Sequence, residues 1–165
     1  MSNIVIRQAD EQDFQAIVAL NDSEIKHTSA MDMKRLKYLH SLASYHGVAV
    51  EGGVVAAFLL AMEDHAPYQN DNFSWFSARH EKFLYIDRIV VGHEFQGRGI
   101  GKKLYADLFD YAMQKKIPLV TCEINSVPPN ERSSAFHAGL GFTEVGSQWI
   151  CEGQKKVSMQ AFAIK

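Results

Sequence analysis

Apolar positions along this chain alternate between a period near two and a period near 3.6, and each switch marks an element. NIVIRQ opens as a short strand. Asp10 follows as a helix cap, and Phe14, Ile17 and Val18 recur at helical spacing, with Asp13 in the first turn and a fade-out at Asn21 and Asp22. A second helical run starts near Met33, carries Leu36, Leu39 and Ala43, and stops at Gly47. In VAVEGGVVAAFLLAM two apolar runs flank Gly52 and Gly53, a two-residue hairpin signal. FLYIDRIVV is apolar almost throughout, as expected of a strand covered on both faces. From Ile100 the period is helical again, with Leu104, Leu108, Tyr111 and Ala112 on the same face. Lys115 and Lys116 suit the negative end of that helix, and Pro118 prevents its continuation.

PLVTCEIN is a further buried strand. PPNERSSAFHAGLGF begins as a turn, becomes a short helix and ends at Gly139 or Gly141. FTEVGSQWIC and KKVSMQAFAI close the chain as a hairpin around Gly153. Residues 63–82 are polar, aromatic-rich and weakly patterned, and two readings stay open. One is a lid or pocket wall built from Tyr68, Phe73, Trp75 and Phe76; the other is a helix that the pattern hides. The sum is a mixed α/β (α+β) chain with a central sheet, read as one domain over residues 1–165. The strand–helix–strand unit over residues 83–125 should be parallel and right-handed.

Composition narrows the function classes. The chain has 165 residues, 47% of them apolar and 22% charged, which is enough for a core. A net charge of −2 gives no reason to expect nucleic acid or an anionic membrane as the main partner. Cys122 and Cys151 both lie in apolar, strand-like runs and read as buried free thiols. The start of the chain has no basic segment followed by an apolar run, and no apolar stretch approaches membrane-spanning length, so a soluble cytoplasmic protein is expected. The histidines show no ligand spacing, and no metal is expected.

Gln96-Gly97-Arg98-Gly99-Ile100-Gly101 stands between the apolar strand and the helix that follows. Glycines there let the backbone come close to a ligand, and a helix start supplies unpaired N–H groups and partial positive charge. Together they form a phosphate cradle. The dinucleotide fingerprint fails because its last glycine falls one position early, and Gly101-Lys102-Lys103 does not fit a P-loop. Gln96-x-x-Gly99-x-Gly101 matches Q/R-x-x-G-x-G/A, the pyrophosphate loop of acyl-CoA-binding acetyltransferases.

With this loop the chain resembles the GNAT (general N-acetyltransferase) superfamily. NERSSAFHAGLGF is similar to that family's later N-x-x-S-x-x-F-Y-x-x-x-G-F segment, with Asn130, Ser133, Phe136, Gly141 and Phe142 in place. Element order agrees over nearly the whole chain. The resemblance implies a mixed sheet flanked by helices on both faces and acetyl-CoA as acetyl donor; it says little about the acceptor, which is read here as a small primary amine. It implies that Ile89, Val90 and Val91 line the thioester arm and that Val91 offers it backbone groups. The N–H groups of Gly97, Arg98, Gly99, Ile100, Gly101 and Lys102 would hold the pyrophosphate behind Gln96. Asn130 and Ser133 would meet the pantetheine arm, and Arg98, Lys102 and Lys103 the phosphates at the rim. It also leaves room for a homodimer. His137 stands where the family usually has a tyrosine placed to protonate the departing thiolate. An imidazole also donates protons, at a pKa nearer neutrality. Its other reading is a packed helix residue bonded to the backbone.

Asp87 and Arg88 interrupt the apolar strand. Alternation points them to opposite faces, so each is expected to need its own partner, and Glu123 on the next strand suits either. Amine nucleophiles are protonated near neutral pH, so a base is needed. Asp87 is the first candidate and Glu123 the second, with Tyr85 on the same strand face as Asp87 to orient the amine or donate a proton. Two rival functions stand beside small-amine acetylation: an acyl-CoA sensor without turnover, and acetylation of a protein N-terminus or lysine.

Overall fold

Asp10 starts the first helical segment as the sequence predicts. In the computed structural model of the chain, which describes residues 3–25 and 28–164, its carboxylate accepts from the Gln12 N–H, and Asp13 closes a reciprocal capping box. A single 3-10 turn, Glu11–Asp13, leads into α1, Phe14–Ser23. Asp32 caps α2, Met33–Leu42. The remaining helices are α3, Asp71–Ser77, α4, Ile100–Gln114, and α5, Glu131–Leu140. The strands are β1, Ile4–Gln8, β2, Tyr45–Glu51, β3, Val54–Glu63, β4, Leu84–Val91, β5, Leu119–Val127, β6, Thr143–Ile150, and β7, Lys155–Ala163. They form one mixed seven-stranded sheet in the order β1-β2-β3-β4-β5-β7-β6. β4 and β5 run parallel, with Tyr85 opposite Thr121.

Two sequence expectations change, and one open reading is decided. The second helix ends at Leu42, and Gly47 is a strand residue. Its missing side chain has a packing reason: a Cβ there would lie 2.5 Å from the Tyr45 hydroxyl, which donates to Asp107 at 2.8 Å. Of the two readings of residues 63–82, the hidden helix holds: it is α3, Asp71–Ser77, whose seven polar and aromatic residues carry no clear period. Cys122 is buried as expected, but Cys151 is exposed, because β6 stops at Ile150 and the turn to β7 takes the cysteine.

The described chain divides into two compact units. The first holds the residues up to Met62 and Ile86–Tyr111. Within it β1, β2 and β3 form an antiparallel meander, and the β2–β3 turn has both Gly52 and Gly53 at positive φ, 56° and 82°. Phe14, Ile17, Leu36, Leu39, Val48, Phe58, Leu104 and Leu108 are among its fully or nearly fully buried side chains. The second unit holds Glu63–Tyr85 and the chain from Ala112 onward. There β7 pairs antiparallel with both β5 and β6, and Phe73, Phe76, Phe83, Tyr85, Val120 and Met159 are buried. Among the described residues no helix is long and apolar enough to cross a membrane.

Candidate functional site

In the first unit, β4 delivers the chain into the glycine run and α4 carries it away. Gly97 and Gly99 both take left-handed backbone angles, φ 80° and 76°, on either side of Arg98. Alternating left-handed positions turn successive N–H groups to one side and make an anion-binding nest. A Cβ built on Gly97 or Gly99 would meet no protein atom within 4 Å. Packing therefore does not demand these glycines; the backbone angle and an open space above the loop do. The N–H of Lys103 already donates to the Gly99 carbonyl at 3.1 Å, so the groups ahead of it are helix-start donors without helical acceptors. Ile100 and Gly101 are buried, and Lys102 and Lys103 are exposed.

Two loop side chains do something the sequence did not predict. Gln96 donates from Nε2 to the Val91 carbonyl at 3.0 Å and to Glu24 at 2.9 Å, which fastens the loop to the end of β4 and to the residue after α1. Arg98 donates to both oxygens of Glu51 at 2.8 and 2.9 Å, and it is half-exposed. The Arg98 guanidinium, expected to be free to meet phosphates at the rim, is thus shared with a carboxylate from β2. Nothing in the sequence signalled Glu51, which simply precedes the Gly-Gly turn.

The charged residues of β4 correct a second expectation. Asp87 and Arg88 neutralise each other: Arg88 Nε donates to Asp87 Oδ2 at 2.7 Å, and both side chains are about 5% exposed or less. A long guanidinium folds back along the strand, which the strict two-face alternation of β-carbons does not forbid. Its other nitrogens donate to the Asn21 side chain at 3.0 Å, the Ser29 carbonyl at 2.9 Å and the Ser29 hydroxyl at 3.0 Å. Asn21 also donates to the Ser29 carbonyl at 2.9 Å. Arg88 is therefore the clamp that holds Asn21 and Ser29 on β4.

In the second unit, the Tyr85 hydroxyl donates to Glu123 Oε1 at 2.5 Å. Tyr85 is 1% exposed and Glu123 is half-buried. Phe73, Phe76 and Tyr68 surround the Tyr85 ring at centroid distances of 5.6, 6.0 and 6.5 Å. The aromatic residues read as a lid or pocket wall are, apart from Trp75, this buried cluster. Cys122, next to Glu123, has its thiol pushed up by burial and further by that carboxylate.

Asn130 caps α5 by accepting from the Ser133 N–H at 3.2 Å. His137, one turn on, donates from Nδ1 to the Ser133 carbonyl at 2.8 Å. A carbonyl only accepts, so the proton of the neutral imidazole sits on Nδ1, and Nε2 donates only from the imidazolium. Burial lowers the His137 pKa, opposed by the Ser133 carbonyl. Its ring packs edge-on against Phe136 and Phe142 at 5.3 and 5.2 Å. This is the arrangement of a packed, backbone-bonded helix residue.

The chain matches the sequence profile of the Acetyltransferase (GNAT) family over residues 6–142. No curated protein sequence matches it. Solved structures with the same fold include Ard1 from Thermoplasma volcanium, with TM-score 0.80, 13% identity, and 98% of each chain covered. The ribosomal-protein-S18-alanine N-acetyltransferase of Escherichia coli has TM-score 0.76 and 15% identity, covering 99% of this chain and 95% of its own. The yncA protein of Salmonella typhimurium, solved with its cofactor acetyl-CoA, has TM-score 0.74 and 23% identity, covering 99% of this chain and 95% of its own.

Proposed function

The chain belongs to the GNAT acetyltransferase family, and from that premise we propose that it transfers an acetyl group from acetyl-CoA to the primary amine of a small molecule. The observation that carries the donor side is the nest at Gly97 and Gly99, with open space where their side chains would stand. Its backbone N–H groups, with those of Arg98, Ile100, Gly101 and Lys102 at the start of α4, hold the pyrophosphate. Lys102 and Lys103 meet phosphates at the rim, and Asn130 and Ser133 at the start of α5 meet the pantetheine arm. Ile89, Val90 and Val91 take the thioester end, with a backbone N–H near Val91 stabilising the charge that develops on the carbonyl oxygen.

Glu123 is assigned the base role. Asp87 is ranked below it, because protonating Asp87 would strip the buried Arg88 of its counter-ion. Glu123 accepts the proton of the incoming ammonium, oriented by the Tyr85 hydroxyl. The amine nitrogen bonds to the acetyl carbon, the carbon–sulfur bond breaks with its electron pair on sulfur, and one of the two protons left on nitrogen passes to that sulfur while the other stays on the amide. The products are an amide and a free thiol, and Glu123 returns its proton to water. This balance needs no side-chain acid, which fits the bonded state of His137. A half-buried carboxylate beside an aromatic cluster suits one compact ammonium group.

The test is thiol release from acetyl-CoA in the presence of amino acids, polyamines and aminoglycosides, with peptides bearing free N-termini or lysines as a separate arm. Small amines should support turnover well above the peptide arm. Turnover confined to peptides would move the acceptor to proteins, and tight acetyl-CoA binding without turnover on either arm would make the chain a sensor.

A further inference from the structure

The β6 strand carries an irregularity in its pairing with β7. Its register against β7 shifts between Glu144 and Gly146, which leaves Val145 as the extra residue. Such a bulge re-aims the residues beside it. Gly146 then receives the indole of Trp75, and a Cβ built on Gly146 would overlap the benzo edge of that ring. The indole is held from elsewhere too: the Arg79 guanidinium lies 3.8 Å from its centroid while donating to the Trp75 carbonyl at 2.9 Å. Two residues further along β6, Gln148 donates to the Asn72 side chain at 2.8 Å and to the Asp71 carbonyl at 3.2 Å. The helix α3 is thus fixed to β6 at both its first turn and its middle.

The opposite side of α3 presents Phe73 and Phe76 to Tyr85. We infer that α3, seated on β6 by Trp75 over Gly146 and by Gln148 on Asn72, is the positioning element for the Tyr85–Glu123 pair; this rests on the base role given to Glu123. Tyr85 lies at the start of a strand whose own backbone ladder fixes its Cα, but the direction of its ring is set by the rings around it. Two of those rings ride on α3. A displacement of the helix by a methyl group's width is enough to break a 2.5 Å hydrogen bond. Trp75, Gly146 and Gln148 are accordingly positioning residues.

The test reads Glu123 directly and uses no substrate, so its failure is separate from failure of the acetyl-transfer reading. The full chain, labelled with carboxyl-¹³C glutamate, is titrated by NMR, with the Glu123 signal assigned from Glu123→Gln. Among the groups beside this carboxylate are the Tyr85 hydroxyl on β4, the protonated Cys122 on its own strand, and the uncharged Met159 paired with it on β7. Tyr85→Phe removes a donor to the ionised form, so the Glu123 midpoint should rise by about one pH unit. Gly146→Val should raise it in the same direction by pushing the indole and α3 off β6. Adding Trp75→Phe removes the ring edge that meets the new side chain and should restore the midpoint toward the wild-type value.

A Gly146→Val midpoint equal to wild type, while Tyr85→Phe moves it, overturns the positioning role. A midpoint unmoved in both variants does the same by showing that the pair is not coupled. Failure of Trp75→Phe to restore it also counts against the inference, since the damage then did not pass through the ring. If near-UV circular dichroism shows Gly146→Val to be unfolded, Gly146→Ala carries the same readings, because one methyl already meets the indole.

Discussion

Arg88 and Asp87, neighbours on β4, form a buried ion pair at 2.7 Å, and the same guanidinium reaches across to Asn21 and Ser29. Removing one partner of such a pair leaves an uncompensated buried charge, at a cost of about 3–5 kcal/mol. Asp87→Asn should therefore lower the melting temperature clearly, while turnover per folded molecule stays close to wild type. Thermal unfolding and an active-site-normalised assay check the two halves. A stable variant with severely reduced turnover would return the base role to Asp87.

Glu123→Gln should lower kcat by about 10² to 10⁴, the usual cost of deleting a general base, with the affinity for acetyl-CoA retained. Tyr85→Phe should be milder in kcat. Its signature is a shift of the acidic limb of the rate profile toward higher pH, because the ionised carboxylate loses a donor. Steady-state kinetics across pH, with calorimetry for the donor, separates these effects.

His137→Phe should keep the alkaline limb of the profile. The neutral ring already spends its Nδ1 proton on the Ser133 carbonyl, and burial opposes the imidazolium. Loss of that hydrogen bond should cost about 1 kcal/mol of stability. A profile in which the alkaline limb disappears would make His137 the acid after all.

His46 gives the fold a pH dependence of its own. Burial, and secondarily His40, push its pKa down to about 4, opposed by Asp13. Its Nδ1 shares a proton with His40 Nδ1 across 2.8 Å, and its Nε2 is buried with no hydrogen-bond partner among the described residues. The unfolded chain binds a proton at His46 that the folded chain does not, in the window from about 6.5 down to about 4. Stability should thus fall as pH drops through that window, by about 3 kcal/mol from this residue. His46→Leu should flatten the dependence, as read from denaturant unfolding at pH 7 and pH 4.5. An unchanged slope would show that His46 is not its source.

Much of the fold was legible because it rests on local signals. Asp10 capped where its position demanded, Gly52 and Gly53 turned the hairpin, and Ile100, Leu104 and Leu108 share one buried face. The helix α3 was legible only as one of two open readings, since a seven-residue helix spans two turns and its apolar residues serve an aromatic cluster rather than a stripe. At the site, Gly97 and Gly99 were readable from their order alone. The partners of the charged residues were not: alternation forecast separate partners for Asp87 and Arg88, yet a flexible arginine reached its own neighbour. Likewise the pairing of Arg98 with Glu51 spans 47 positions with no motif to announce it.

The account rests most directly on the nest after β4 holding the pyrophosphate of acetyl-CoA. Gly99 has φ 76° and open space above it, so Gly99→Val should leave a folded protein while its side chain fills the space a phosphate needs and strains the backbone angle. Calorimetric titration of acetyl-CoA into the wild-type chain and into Gly99→Val is the decisive measurement. The prediction is one saturable site in the wild type and no measurable binding in the folded variant. Equal affinity in both, or no binding to the wild type, would contradict it.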